Sequence, residues 1–403
     1  MASTWVSKFG LGLTATGVAF VGLNPSSASA ESRSWAVSSL TQAVYSEEGD
    51  CPSIAIDQDA FARKQLTAQG RSLKEIDMLM DGVNADGTKD GNGYGGGHGT
   101  GKVHYMLIDR ARKDGKPVNV YQYPSYIADP QVPTVTGKHA YGFNLDGKGA
   151  ASPNSFEDPD THEKGINNQY FRAMGCLENH RGSMKVKQTY WNYVWDAVRY
   201  AMPAWIITVN AADLSKDGDA TVTVERALDH VEQDANSGTR TNFTFRIDPD
   251  KRFQKNVYPA KIKNGVVETT VAGPFRMNAD PYVITEWKMQ QTHLRLTMKA
   301  DGTLDGVLGG YMPWYNIYYA YAHTGESGEM SFGIDMPGVY YNLRKHADAN
   351  PDPKTGQNRD ISVAFRVEGV PAFVEHPVQA KAGNKKISQA APARSPTTVA
   401  SRD

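Results

Sequence analysis

The pattern of apolar and polar positions changes its period near Pro203. Before this residue, apolar side chains recur at helical spacing, and after it they alternate with polar ones as in half-buried strands. The turn sequences KDGD, KNG and ADG separate several of the alternating runs. Many short strands with tight turns predict an antiparallel β-sandwich of the jelly-roll type. The predicted strands cover residues 205–210, 220–226, 242–247, 258–262, 266–271, 293–299, 303–311 and 361–374.

The first half of the chain is predicted to be helical and rich in loops. Ser72 followed by Glu75 has the spacing of a capping box at a helix start. The glycine-rich stretch up to Gly101 cannot form a regular element and predicts a loop. The fold class is therefore α+β, mainly β, with a helical N-terminal part packed on the C-terminal sandwich. Helices are predicted over residues 35–45, 57–69, 102–113, 165–177, 184–202 and 339–346.

The first thirty residues have the features of a secretory signal peptide. Lys8 gives a positive start, Phe9 to Leu23 is apolar or small, and Ala28-Ser29-Ala30 is a small-residue cleavage site. The apolar run is shorter than the roughly 20 residues that a membrane-spanning helix needs. We therefore expect export, to the periplasm or the medium, and a mature chain without a membrane span. The expected organisation is a signal peptide (1–30), a helical region (31–202), a β-sandwich domain (203–377) and a disordered tail (378–403).

Composition narrows the possible partners and predicts one covalent cross-link. The formal net charge is −1, so no basic surplus indicates a nucleic-acid partner. Aromatic residues make up 10% of the chain, which favours packed cores over disorder. Cys51 and Cys176 are the two cysteines, and in an oxidising compartment we expect them to form a disulfide.

Loops rich in oxygen-bearing side chains are the strongest chemical signal in the sequence. Alternating carboxylate and amide residues around a glycine turn can supply the six to eight oxygens that Ca²⁺ takes. No loop has the complete EF-hand pattern, and the same residue types are ordinary turn formers, which is the better interpretation for residues 213–219. The main predicted calcium ligands are Asn144, Asp146, Asp158, Asp160, Asn167 and Asn168, and the secondary candidates are Asn84, Asp86 and Asp90.

Common catalytic signatures are missing from the sequence. There is no G-x-S-x-G, H-E-x-x-H or S-x-x-K motif. The dense aromatic run from Tyr311 to His323 could present Tyr311, Trp314 and Tyr315 as a ligand surface. The alternative is a strand whose rings line the core and an adjacent surface.

Three segments carry a resemblance to other proteins. They are the segment from Tyr141 to Cys176, the stretch DGVLGGYMPW, and the late segment from Leu343 to Pro377. Together they resemble a group of exported bacterial proteins with an N-L-D-G motif followed by G-[IV]-[DN]-N-Q-x-[YF]-R-A-x-G-C. The resemblance covers most of the mature chain and implies no particular activity. It favours treating residues 144–176 as one functional block.

Three functions remain open on the sequence alone. The leading hypothesis is an exported binding or structural protein that calcium stabilises, with a glycan or protein partner at the cell exterior. The second is a secreted hydrolase of an extracellular polymer, with carboxylates such as Asp158 or Glu178 as acid and base. The third is a copper or redox protein that works beside a c-type cytochrome and uses His and Met ligands.

Overall fold

The structure is a computed structural model that describes residues 30–52, 58–83, 86–88, 102–181, 195, 199–253, 256–278, 286–323 and 335–376. Several predictions therefore lie outside the described residues. They are the signal peptide, the secondary calcium candidates Asn84 and Asp90, the glycine-rich loop, most of the helix at 184–202, and the C-terminal tail.

Strands dominate the described part of the chain. In chain order they are β1 (Glu31–Gln42), β2 (Ala111–Lys113), β3 (Lys116–Val118), β4 (Phe156–Glu157), β5 (Lys164–Ile166), β6 (Trp205–Ala211), β7 (Gly218–Arg226), β8 (Phe243–Arg246), β9 (Val257–Lys263), β10 (Val266–Thr269), β11 (Gly273–Asn278), β12 (Glu286–Met298), β13 (Leu304–Pro313), β14 (Ala349–Pro351) and β15 (Asn358–Glu375). The strand positions predicted after Pro203 are thus largely confirmed, with β11 and β14 added.

The large sheet closes into an eight-stranded barrel, which corrects the predicted sandwich. The order around the described barrel is β1-β6-β7-β9-β10-β12-β13-β15, and β15 pairs with β1 to complete it. All these neighbours are antiparallel. In a closed barrel the first and last strands pair with each other, so the backbone hydrogen-bonding groups along their outer edges are satisfied. A sandwich would leave those edges unpaired.

Inward-facing side chains fill the barrel with aromatic rings. Trp205 lies 5.7 Å from Trp287 and 5.5 Å from Phe275, and Trp287 lies 4.5 Å from Phe365, measured between ring centroids. Tyr170 packs on Phe365 at 6.1 Å and belongs to the same core. Because side chains alternate along a strand, the opposite faces of these strands form the outer wall of the barrel.

The described ranges contain seven bounded α-helices: α1 (Gln58–Ala68), α2 (Leu73–Met80), α3 (Lys102–Ile108), α4 (Gln169–Met174), α5 (Glu178–Arg181), α6 (Trp314–His323) and α7 (Met336–His346). Short 3-10 helices lie at Pro124–Tyr126, Gly149–Ala151 and Lys251–Phe253. Helices α1, α2 and α3 share a small core of their own. Helices α4, α6 and α7 pack on one another and on β15. No helix in the described ranges is long and apolar enough to cross a membrane.

Four predicted elements differ from the structure. The helix predicted over 102–113 ends at Ile108, and Ala111–Lys113 forms β2. The helix predicted over 165–177 begins only at Gln169, after β5. The helix predicted from Trp35 to Tyr45 is wrong, because this segment forms β1 and pairs with β6 and β15. The aromatic run is divided, since β13 ends at Pro313 and helix α6 follows it.

The predicted disulfide between Cys51 and Cys176 is confirmed. It joins the chain after β1 to the segment between α4 and α5. Beside it, the Arg181 guanidinium forms a buried ion pair with Asp50 at 2.5 Å. The cross-link and the ion pair together hold this part of the chain against the block 144–176.

Candidate functional site

The block 144–176 begins on the outer wall of the barrel. Phe143, directly before it, packs flat against the His293 ring of β12 at 5.5 Å and lies beside Gly309 of β13. A Cβ on Gly309 would lie 2.6 Å from the Phe143 ring, so this close approach requires glycine. Inside the block, a Cβ on Gly165 would lie 2.3 Å from the Gly149 carbonyl oxygen. These contacts fix the N-L-D-G turn on strand β13.

A chain of hydrogen bonds orients Asp146 in this turn. The Asn167 amide oxygen accepts hydrogen bonds from the backbone N–H groups of Leu145 (2.8 Å) and Asp146 (3.2 Å). The Asn167 amide nitrogen donates to the Ser152 hydroxyl at 3.2 Å, and that hydroxyl donates to the Asp146 carboxylate at 2.8 Å. The Lys148 ammonium lies 3.6 Å from the same carboxylate. Asp146 is thus held by fixed donors rather than by solvent.

A second carboxylate reaches the same place from the C-terminal part of the chain. Asp348 follows α7 and immediately precedes β14, and its carboxylate accepts hydrogen bonds from the Ser362 N–H (2.7 Å) and hydroxyl (2.8 Å). Ser362 lies opposite Tyr311 in the pairing of β13 with β15, so both side chains point outward from the barrel. The register of two strands therefore brings Asp348 to Tyr311.

Tyr311 is the third member of this site, and the charges of both carboxylates act on it. Its side chain is only 6% exposed and packs against Phe143 and Leu145. Among the described residues its hydroxyl has no hydrogen-bond partner. Burial raises the pKa of Tyr311, and the negative charges of Asp348 and Asp146 raise it further. The two carboxylates therefore act on this hydroxyl electrostatically.

Burial also raises the pKa of Asp348, to about 6, although hydrogen bonds from Ser362 lower it. The charge of Asp146 adds to the increase. Asp146 is 19% exposed, so the site is open on its side. We call Asp146, Tyr311 and Asp348 the carboxylate–tyrosine cluster.

Other predicted calcium ligands serve as turn and cap residues. Asn144 accepts from the Gly149 N–H at 3.2 Å. Asp158, 2% exposed, accepts from the N–H groups of Asp160 (3.0 Å) and Thr161 (2.9 Å), and its other oxygen pairs with Arg295 at 3.2 Å. Arg295 lies in β12, so this ion pair fastens the block to the barrel wall.

Asn168 and Asp86 likewise bind the protein itself. The Asn168 amide accepts from the Phe171 N–H at the start of α4 and donates to the carbonyls of Ala43 and Tyr141. Asp86 accepts from the N–H and hydroxyl of Thr88. Among the described residues, no group of three or more His, Cys, Asp or Glu side chains could hold a metal ion. Calcium at these loops stays a prediction, which elemental analysis of the purified protein checks.

The three aromatic ligand candidates are separated by the fold. Tyr311 joins the cluster, whereas Trp314 is partly buried between Tyr315 and Tyr340 at the start of α6. Tyr315 is 52% exposed. The carboxylates suggested for hydrolysis are also separated from the cluster, because Asp158 is paired with Arg295 and Glu178 begins α5.

Asp348 and Ser362 are the functional candidates that the sequence analysis missed. Asp348 lies in the segment HADANPDP, which has the composition of an ordinary turn. The one sequence feature that includes both residues is the late resembling segment, from Leu343 to Pro377. Nothing in that segment distinguishes Asp348 or Ser362 as a functional residue. Comparison with known proteins adds no assignment, because no protein-family model, curated protein or solved structure matches the chain.

Proposed function

We propose that this is an exported binding protein that holds a hydroxyl-rich ligand, such as a glycan, at the carboxylate–tyrosine cluster. The observation that carries the proposal is the Tyr311 hydroxyl, which lacks a partner among the described residues although the side chain is 6% exposed. Because the rest of the ring is buried, the hydroxyl is held in a fixed position, and a ligand that forms a hydrogen bond with it gains affinity.

The chemistry of the cluster selects the ligand class. A sugar hydroxyl both donates and accepts hydrogen bonds, so one hydroxyl can donate to Asp146 or Asp348 while another accepts from Tyr311. Hydrogen bonds to a charged group contribute more than those between neutral groups. The 19% exposure of Asp146 gives such a ligand a route of entry. The signal-peptide sequence and the Cys51–Cys176 disulfide support a location where extracellular glycans are met.

The test is calorimetric titration of the mature protein with soluble cello-, chito-, malto- and xylo-oligosaccharides. Tyr311→Phe removes only the hydroxyl, and Asp348→Asn removes only the charge. For the sugar that binds, each variant should weaken affinity by about tenfold, as for the loss of one charge-assisted hydrogen bond. Tyr126→Phe and Asp219→Asn change exposed side chains elsewhere and should bind as the unchanged protein does.

Two results would contradict the proposal. One is that no oligosaccharide binds. The other is that Tyr311→Phe binds as tightly as the unchanged protein while melting at the same temperature.

The pKa of Asp348 favours hydrolysis as a second function of the same site. A carboxyl group that keeps its proton up to about pH 6 can protonate a departing glycosidic oxygen. Asp146 can then take a proton from the water that attacks the anomeric carbon. Analysis of the titration mixtures for new reducing ends measures this activity directly. Product that forms equally fast with Asp348→Asn would exclude Asp348 as the proton donor.

A further inference from the structure

Three partly exposed rings, those of Tyr45, His139 and Tyr141, meet at the surface of the protein. The Tyr45 centroid lies 5.8 Å from that of His139, with an interplanar angle of 67°. It lies 6.0 Å from that of Tyr141, with an angle of 80°. His139 and Tyr141 flank the fully buried Ala140, so both side chains point toward the surface. We call Tyr45, His139 and Tyr141 the aromatic triad.

Fixed hydrogen bonds hold the three rings in place. The Glu47 carboxylate bonds to the His139 ring nitrogen Nδ1 at 2.8 Å. The buried Asn168 amide donates to the carbonyls of Ala43 and Tyr141, and so ties the loop after β1 to the segment before the N-L-D-G turn. Because this framework is built before any ligand arrives, binding to the rings loses little conformational freedom.

Carboxylates give the triad a negative surrounding. Glu47, beside His139, is 30% exposed. Asp160 is exposed and forms no ion pair with any described residue. Burial raises the pKa of Tyr141, and the negative charges of Asp160 and Asp158 raise it further. The charge of Asp160 therefore acts directly on one ring of the triad.

One ring of the triad already attracts a cation of the protein. The Arg366 guanidinium lies over the Tyr141 ring, 5.3 Å from its centroid, and lowers the pKa of that tyrosine. Arg366 is itself paired with Asp305 at 3.3 Å. Among the described residues no positive side chain lies over the Tyr45 ring, so this ring can still accept a cation from outside.

Aromatic rings beside carboxylates select one class of cation. A quaternary ammonium group has no N–H, and its methyl groups spread the positive charge over a surface that packs on ring faces. A primary ammonium or a guanidinium would instead direct its N–H donors to the carboxylates. A calcium ion would require six to eight oxygen ligands, which three rings do not supply.

We propose that the aromatic triad binds a small organic cation with a quaternary ammonium group, such as choline. The methyl groups of the ligand pack against the three rings. The charges of Glu47 and Asp160 favour such a cation over a ligand that also carries a negative charge. The triad shares no residue with the carboxylate–tyrosine cluster, so this proposal does not depend on glycan binding.

The experiment titrates the full mature protein with choline in a calorimeter. Two analogues are titrated beside it: dimethylbutanol, in which a carbon atom replaces the nitrogen of choline, and phosphocholine, which adds a negative phosphate. Choline should bind with millimolar or tighter affinity, and dimethylbutanol about tenfold more weakly because it lacks the charge. Phosphocholine should also bind about tenfold more weakly, since the carboxylates repel its phosphate.

Variants assign the binding to the triad. Tyr45→Leu and Tyr141→Leu keep an apolar side chain but remove the aromatic face. Each should weaken choline by about fivefold and leave the affinity for dimethylbutanol nearly unchanged. Asp160→Asn should weaken choline by about threefold and reduce its advantage over phosphocholine.

Matched controls change the same residue types at other places. Tyr123→Leu and Asp219→Asn alter exposed side chains outside the triad and should bind choline as the unchanged protein does. Melting curves confirm that each variant is folded, so a loss of affinity reports on the site.

The proposal is overturned if choline at about 50 mM produces no binding heat, because millimolar affinity would saturate the site at that concentration. It is equally overturned if dimethylbutanol or phosphocholine binds as tightly as choline. These comparisons use the unchanged protein and do not depend on the folding of any variant. Full choline affinity in both Tyr45→Leu and Tyr141→Leu would contradict the assignment to the triad.

Discussion

At the scale of single residues, Asn168 joins three parts of the chain. Its side chain is fully buried, donates to the carbonyls of Ala43 and Tyr141, and accepts from the N–H of Phe171. One bond caps α4, and the other two hold the segment after β1 and the segment before the N-L-D-G turn. A buried amide with all three bonds made is stabilising, whereas its removal leaves three backbone groups unsatisfied.

Asn168→Ala should therefore lower the free energy of unfolding by about 2–4 kcal/mol. Urea denaturation of both proteins measures the difference. Asn236→Ala, in an exposed loop, serves as the control and should change the free energy by less than about 0.5 kcal/mol. A loss below about 1 kcal/mol at Asn168 would mean that water replaces the lost bonds.

The residues of the cluster were only partly predictable from the sequence. The N-L-D-G motif predicts Asp146 as a metal ligand, and the aromatic run predicts Tyr311 as part of a ligand surface. Neither pattern indicates that the two lie together. Asp348 could not be predicted, because it depends on the strand register that places Ser362 opposite Tyr311.

At the scale of elements, helix α2 shows how local sequence fixes a boundary. The Ser72 hydroxyl accepts from the Glu75 N–H, and the Glu75 carboxylate accepts from the Ser72 N–H at 2.9 Å. This is the capping box predicted from the spacing of the two residues. Ile76 and Met80 then face the small core shared with α1 and α3.

Ser72→Ala should destabilise α2 by about 1 kcal/mol, because the first-turn N–H groups lose their acceptor. Hydrogen exchange of the α2 amides should become about fivefold faster. Thr67→Ala removes a hydroxyl that bonds only to the Arg63 carbonyl within α1, so it should leave exchange in α2 unchanged. Equal exchange in the two variants would argue against the capping box as the cause.

Strand β1 was mispredicted for an identifiable reason. A bulge between Val37 and Ser39 inserts one residue into its pairing with β15. The buried positions Trp35, Val37 and Leu40 are therefore not evenly spaced by two, and they resemble the spacing of a helix face. Strand β12 has a similar register shift between Gln290 and His293, which explains why only its second half was predicted.

At the scale of the whole molecule, buried ionisable groups connect folding to pH. Burial lowers the pKa of His180 to about 3 and that of His346 to about 4. In the unfolded chain a histidine takes up its proton near pH 6.5. The folded protein cannot take up these two protons until the pH is much lower, so acid favours the unfolded chain. Asp348 acts in the opposite direction, because it keeps its proton to about pH 6 when folded.

Between pH 7 and pH 5, the loss of stability caused by the two histidines is larger than the gain caused by Asp348. The free energy of unfolding should fall by about 2 kcal/mol over this interval, since one pKa unit corresponds to about 1.4 kcal/mol. Urea denaturation at both pH values measures the change. His346→Gln should remove most of the fall, because one histidine alone barely exceeds the opposite contribution of Asp348, whereas His230→Gln, on an exposed histidine, should leave it unchanged. An unaltered fall with His346→Gln would show that His346 does not cause it.

The sequence by itself determined the features that depend on neighbouring residues. Alternating apolar positions predicted most strands after Pro203, the Ser72–Glu75 spacing predicted a helix start, and two cysteines behind a predicted signal peptide predicted the disulfide. Tertiary structure alone decided that the sheet closes, because closure depends on β1 pairing with β15 at the far end of the described chain. It also decided the cluster, since only the pairing of β13 with β15 places Ser362, and with it Asp348, beside Tyr311.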